Sequence, residues 1–202
     1  MEKLYLEVPS IERKNQALEY IKEFYEYNSQ INGVGGLDKK IEKGISYEEW
    51  VNENLKMSDK DYAYSKGLVP GETFFLIRKE DDKLIGMINL RYELNDYLRN
   101  FGGHIGYSIR PTERRKGYNK INLYLCLLEA QKHDLEKVLI TCADYNEGSR
   151  KSIKALDGEF EKINYDESDE ENMELYWINV NKTINKYKDI YEQYIIKSNK
   201  IR

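Results

Sequence analysis

Leu4, Leu6 and Val8 alternate with polar residues, which predicts a short first strand. Pro9-Ser10 closes it, and Ser10 stands where a helix N-cap belongs. Ala17, Leu18, Ile21, Phe24 and Tyr25 recur at helical spacing, so 11–28 is predicted as an amphipathic helix. Asn32 to Gly36 reads as a loop, and Ser46 with Glu49 as a capping box opening a second helix that runs to about Leu55. Thr73 to Arg78 and Leu84 to Leu94 are strand-like; the charged turn Glu80 to Lys83 makes them a hairpin. Gly102-Gly103 leads into a strand from His104 to Arg110, which Pro111 ends.

Residues 117–132 form a helix apolar around most of its circumference, hence a buried one. Val138 to Cys142 is a short buried strand, Asn146 to Leu156 a helix stopped by Asp157-Gly158. Glu159 to Tyr165 and Leu175 to Val180 make a last hairpin. The acidic stretch Asp166 to Glu171 between them reads as a solvated turn without function. Residues 183–198 carry Ile184, Tyr187, Tyr191, Tyr194 and Ile195 on one face of a final helix. The order β-α-α-β-β-β-α-β-α-β-β-α implies one α+β domain, a mixed, mostly antiparallel sheet flanked by helices.

Composition narrows the function. The 202 residues are 40% hydrophobic and 34% charged, as in a soluble globular protein large enough to bury its own core. No apolar run approaches a membrane span and no signal peptide is visible, so a cytoplasmic protein without membrane contact is expected. Two cysteines, Cys126 and Cys142, read as reduced core residues rather than a disulfide framework. The net charge of −4 argues against a nucleic-acid partner. Against that mean, Arg110, Arg114, Arg115, Lys116 and Lys120 crowd into eleven residues with only Glu113 opposing them.

That basic cluster lies where a strand stops, a turn follows and a helix begins. The first amides of a helix lack intrahelical acceptors and carry the positive end of its dipole. An anion placed there gains several hydrogen bonds at once, and Gly117, having no Cβ, lets it come close to the backbone. The segment is built for a diphosphate or a similar group. The loop Gly33-Val34-Gly35-Gly36, by contrast, lacks the Gly-Lys-Ser/Thr ending of a nucleotide P-loop.

The stretch Gly106 to Lys120 resembles the GNAT superfamily of N-acetyltransferases. That family's turn has Arg or Gln, two residues, Gly, one residue, then Gly or Ala; Arg114, Gly117 and Asn119 occupy these places. The resemblance covers about Phe74 to Tyr165 and implies a GNAT-like fold with strands splayed at the cofactor site. It divides the chain into an acetyltransferase domain, 1–182, and a C-terminal helical extension, 183–202. It implies acetyl-CoA as co-substrate, with no metal. Backbone groups of Tyr107 and Ile109, beside Ser108, would pair with pantetheine. Amides of Arg115, Lys116, Gly117, Tyr118, Asn119 and Lys120 would cradle the pyrophosphate. Asn146 would bond the pantetheine arm, with Ser149 near the nucleotide end, and the 33–36 loop would border the acceptor cleft.

The implied reaction is direct acetyl transfer to an amine. Such an amine must lose a proton, so a base is needed near neutral pH. His104 is the first candidate and Glu93 the second. The N–H of Ile109 would face the acetyl carbonyl. Cys142 is set aside as a nucleophile because no histidine lies near it in sequence. Trp50, Tyr47, Tyr62 and Tyr64 either line the cleft or pack the second helix. Two departures from the family pattern stand out: Asn119 replaces a small residue, and Ile153 stands where a proton-donating tyrosine is common. They motivate an alternative, a catalytically degenerate CoA-binding or regulatory protein. The acceptor stays open among a small amine, an amino acid, an antibiotic and a protein N-terminus; paired C-terminal aromatic helices would be a route to a homodimer.

Overall fold

The computed structural model describes residues 2–196. Strand β1 (Leu4–Glu7) turns Leu4 and Leu6 into the core and pairs antiparallel with β2 (Gly71–Arg78). β2 pairs with β3 (Lys83–Arg91) and β3 with β4 (Ile105–Ile109), giving a four-stranded antiparallel sheet in sequence order. The strands β5 (Lys137–Ala143), β6 (Glu159–Asp166) and β7 (Glu171–Asn179) form a second antiparallel sheet with β7 in the middle.

Helices α1 (Lys14–Glu26), α2 (Leu37–Glu42) and α3 (Tyr47–Asn54) cover one face of the first sheet. Tyr20, Phe24 and Trp50 pack there against Phe75, Ile77 and Met87. The capping box at Ser46 and Glu49 is formed, a feature worth about 1 kcal/mol. Ser10 gives α1 no side-chain cap: a 3-10 turn, Ile11–Arg13, precedes the helix. There the buried Arg13 bonds both Glu7 and Asp82, and so fixes where the chain enters α1. Two short helices, α2 and α4 (Lys60–Ser65), were not legible, since six residues are too few to show a period.

The opposite face is covered by α5 (Tyr118–Lys132), buried as its composition demands. Helix α6 (Glu147–Lys154) follows β5. Helix α7 (Val180–Tyr191) leaves β7 directly, capped by Asn179. Its aromatic face is spent inside the chain: Tyr191 stacks on Tyr124 of α5 with ring centroids 5.0 Å apart. Beyond α7 the chain bridges back to β1 at Leu4 and Ile195. The expected helix to 198 thus ends at Tyr191; residues 197–202 lie outside the described residues.

The register of β4 positions the site. In antiparallel pairs, alternate residues turn their peptide groups to the partner and away from it. Arg91 N–H donates to the His104 carbonyl and Arg110 N–H to the Ile85 carbonyl. With Gly86 opposite Ile109, the even-numbered residues of β4 bond β3, and the peptide groups of Ile105, Tyr107 and Ile109 face the far edge. On β5, Asp144 N–H donates to Asn172, so Leu139, Thr141 and Ala143 likewise face outward. The two outward edges are tied at one end, by His104 N–H to the Leu139 carbonyl at 2.7 Å. Past that tie β4 and β5 belong to separate sheets.

Candidate active site

β4 leaves through Arg110 and a 3-10 turn, Pro111–Glu113. Arg115 and Gly117 then take positive φ, 66° and 86°, before α5 starts at Tyr118. A Cβ built on Gly117 meets no atom within 4 Å, so the turn opens onto free space. Lys120 N–H already turns back to the Gly117 carbonyl, at 3.2 Å. The amides of Tyr118 and Asn119 precede it, at the positive end of a fifteen-residue helix. A helix start of this kind, with open space in front of it, has the geometry that can hold an anion.

The basic cluster is mostly committed to the fold rather than to this helix start. Arg110 is buried, bonding Glu23 at 3.1 Å and the Leu84 carbonyl. Arg114 bonds the Ile109 carbonyl and Ser29 and lies over the Phe24 ring. Lys116 is 2.8 Å from Glu113, which also takes Arg78 and Lys83. The Tyr118 ring is buried and its hydroxyl bonds Arg78 and Glu2, leaving only its peptide group at the turn. Arg114 and Lys116 are exposed but engaged in these contacts; Arg115 and Lys120 are exposed there as well and are drawn into none of them.

At the other end of β4 lies a cavity of about 570 Å³. Its floor is the parted strands: Ile105, Gly106 and Tyr107 on one side, Thr141, Cys142 and Ala143 on the other. The loop Gln30 to Gly33 forms one wall. Gly33, at φ 71°, lies so close to β4 that a Cβ there would come within 2.2 Å of the Gly106 carbonyl oxygen. Arg91 and the segment Tyr97 to Gly102 form a second wall, and Asp166, Asp169, Glu171 and Met173 a third.

Of the residues expected to hold a cofactor, Tyr107, Asn146 and Ser149 come together in this cavity. The Tyr107 and Ser149 hydroxyls are 2.8 Å apart, and Asn146 Oδ1 accepts the Ser149 N–H, capping α6. The Asn119 Oδ1 is buried without a hydrogen-bond partner. Ser108 faces the other way: its hydroxyl donates to the Asn32 carbonyl and meets that of Tyr20. Ile109 packs in the core with its peptide group at the open edge.

Neither expected base lies in the cavity wall. His104 is buried, and its Nδ1 accepts the Leu139 N–H at 2.9 Å. Burial, with Arg91 nearby, lowers its pKa to about 4. It is the bolt between the two sheets and stays neutral near pH 7. Glu93 sits outside, bonded to Tyr64 and Lys60. Trp50 packs on Phe75 and donates to the Gly35 carbonyl, and Tyr47 is buried beside it. Burial and the Glu174 charge push the Cys142 thiol up to about 11, so it is protonated at neutral pH and a poor nucleophile.

Sequence reasoning missed Arg91, Tyr97, Phe101 and the acidic wall. The 166–171 stretch, read as a solvated turn, instead brings three carboxylates to the cavity. Glu171 accepts a hydrogen bond from Tyr145 at 2.5 Å and is reached by Gln30. Charge alone gave no signal, because a turn joining two strands is acidic on many surfaces. No group of His, Cys, Asp or Glu able to hold a metal occurs among the described residues, and no helix there is long and apolar enough to cross a membrane.

Two parted antiparallel sheets, an open helix start at one end of the gap and a cavity at the other define an N-acetyltransferase fold. Residues 41–156 match the model of the acetyltransferase (GNAT) family, and the chain belongs to that family. No curated protein matches the sequence significantly. Among solved structures it is similar to a ribosomal-protein-S5-alanine acetyltransferase from Vibrio fischeri, with 16% identity, TM-score 0.62, and 89% of this chain and 94% of that one covered. Mycobacterium smegmatis RimJ in complex with a CoA disulfide matches at 12% identity and TM-score 0.65, over 92% and 89%. A chimera of Vibrio cholerae spermidine N-acetyltransferase with hSSAT matches at 16% and 0.59, over 91% and 99%.

Proposed function

We propose that the protein moves an acetyl group from acetyl-CoA directly to the amine of a small acceptor. The observation that carries this reading is the placement of two features at opposite ends of one strand edge: the Gly117 nest and the 570 Å³ cavity. Five residues of β4 span roughly 16 Å, a distance suited to a pantetheine arm. The outward peptide group of Tyr107 and the N–H of Ile109, whose carbonyl Arg114 already takes, offer that arm a strand edge to pair with. The orphaned Oδ1 of Asn119 offers one more acceptor beside it. Amides of Tyr118 and Asn119, with Arg115 and Lys120, would hold the pyrophosphate, so the residues present fit the group. Asn146 and Ser149 would flank the arm. When bound, acetyl-CoA supplies an activated thioester.

The chain's own residues then manage protons. Burial raises the Tyr107 pKa, so its phenol stays protonated at neutral pH and is a proton donor carried by the parted strand β4. Ser149 orients it. This phenol replaces the one missing at Ile153, which is fully buried in the core. Glu171, pinned by Tyr145 and Gln30, takes the proton from the acceptor ammonium at its carboxylate.

The test is acetylation of an amine panel with acetyl-CoA, following free thiol and acetylated product. Product formation that Glu171→Gln slows supports the scheme. CoA binding without acetylation of any amine would favour the degenerate reading that Ile153 and the absence of a cavity histidine motivate.

A further inference from the structure

Arg91 is a cation in an unusual position. It lies in the cavity wall, partly buried, at the end of β3. Its Nη1 donates to the Gly102 and Gly103 carbonyls, at 3.2 and 3.0 Å. Its Nη2 passes beside Gly106, where an added Cβ would be 3.7 Å from it. Among the described residues no carboxylate comes within ion-pair distance of it; of the acidic wall, Asp166 bonds Ser168 and Glu171 bonds Tyr145. Burial lowers its pKa, opposed by Tyr97. A guanidinium withdrawn from water without an anion is costly, unless an anion arrives.

CoA does not supply that anion. Arg91 stands by His104, at the start of β4, whereas the nest lies beyond its end. The anion must therefore come from the acceptor. Gly106 lies just past the tie where the strands part, so under the acetyl-transfer reading an anion on Arg91 would sit beside the acceptor amine. The geometry points to an acceptor whose amine and carboxylate are neighbours, a free amino acid, with Arg91 binding the carboxylate. This rests on the acetyl-transfer reading above. It disfavours protein N-termini, whose α-carboxylate is consumed in the peptide bond.

The experiment compares each of a set of amino acids with its decarboxylated amine and its methyl ester. In the wild type, kcat/KM for the amino acids should exceed that for their partners by about 100-fold. Arg91→Gln should erase this ratio by lowering the amino-acid values alone, leaving CoA affinity within about threefold. Arg91→Lys keeps the charge but not the fork, and should restore part of the ratio. As a readout independent of turnover, the same probes are added at millimolar concentration to the CoA-saturated protein in thermal melts. Amino acids should raise Tm in the wild type and not in Arg91→Gln, and the amines should do neither. Equal acetylation of amines and amino acids, or a selectivity unchanged in Arg91→Gln, overturns the Arg91 assignment and leaves acetyl transfer standing. CoA binding with no acetylation and no amino-acid shift overturns both.

Discussion

The hydroxyl of Tyr107 lies 2.8 Å from that of Ser149, and this contact ties β4 to α6 across the gap between the sheets. If the phenol donates the proton, Tyr107→Phe keeps the ring packing and loses the donor. We expect kcat to fall about 100-fold, with CoA affinity changed less than about threefold. Steady-state kinetics with a binding titration check this; an unchanged kcat removes Tyr107 from the chemistry.

Gly117 holds φ at 86° with open space where a Cβ would go. An L-residue there is strained but not blocked. Gly117→Ala should cost about 1 kcal/mol, read as a shifted denaturant midpoint at constant m-value. A loss several times larger would show that the turn is packed rather than open.

Much of this arrangement was legible in the chain. The capping box, the buried α5 and the Pro111-to-Gly117 turn all rest on local rules that tertiary structure did not override. The basic cluster was misread in part, because sequence shows five cations and not that Arg110 pairs with Glu23 or that Lys116 leans on Glu113. His104 looked like a base; only the meeting of two sheets turns its Nδ1 onto Leu139. Arg91 gave no signal at all, since its importance lies in which partner it lacks. Such facts depend on contacts between residues far apart in sequence, which periodicity does not carry.

Glu113 is nearly buried among Arg78, Lys83 and Lys116. Burial opposes its ionisation, but hydrogen bonds from Lys116, Lys83 and Arg78 outweigh that and hold its pKa at about 2, below the ordinary 4.5. A depressed carboxyl stabilises the fold above its unfolded pKa. Its contribution should therefore be complete above pH 4.5 and vanish as pH falls toward 2. Glu113→Gln should lose roughly 3 kcal/mol at neutral pH and flatten that acid limb. Urea melts across pH test it; parallel curves for the two proteins would contradict it.

His104 gives a second acid limb at higher pH. Its folded pKa of about 4 lies below the ordinary 6.5, so the unfolded chain takes up the proton first. Its neutral form stabilises fully above pH 6.5, and stability falls as pH drops toward 4. In the same melts, His104→Asn should be less stable at neutral pH and show a shallower slope across that window. The pH profile of kcat should keep its shape in this variant; a lost limb would return His104 to the role of base.

Everything turns on whether exposed amides at the head of α5 hold the cofactor's linked phosphates. Calorimetric titration of coenzyme A into the wild type and into Gly117→Val addresses this directly. The account expects saturable heat at one site per chain in the wild type and none in the variant. Equal heats in the two proteins, or no heat from the wild type at millimolar coenzyme A, would contradict it.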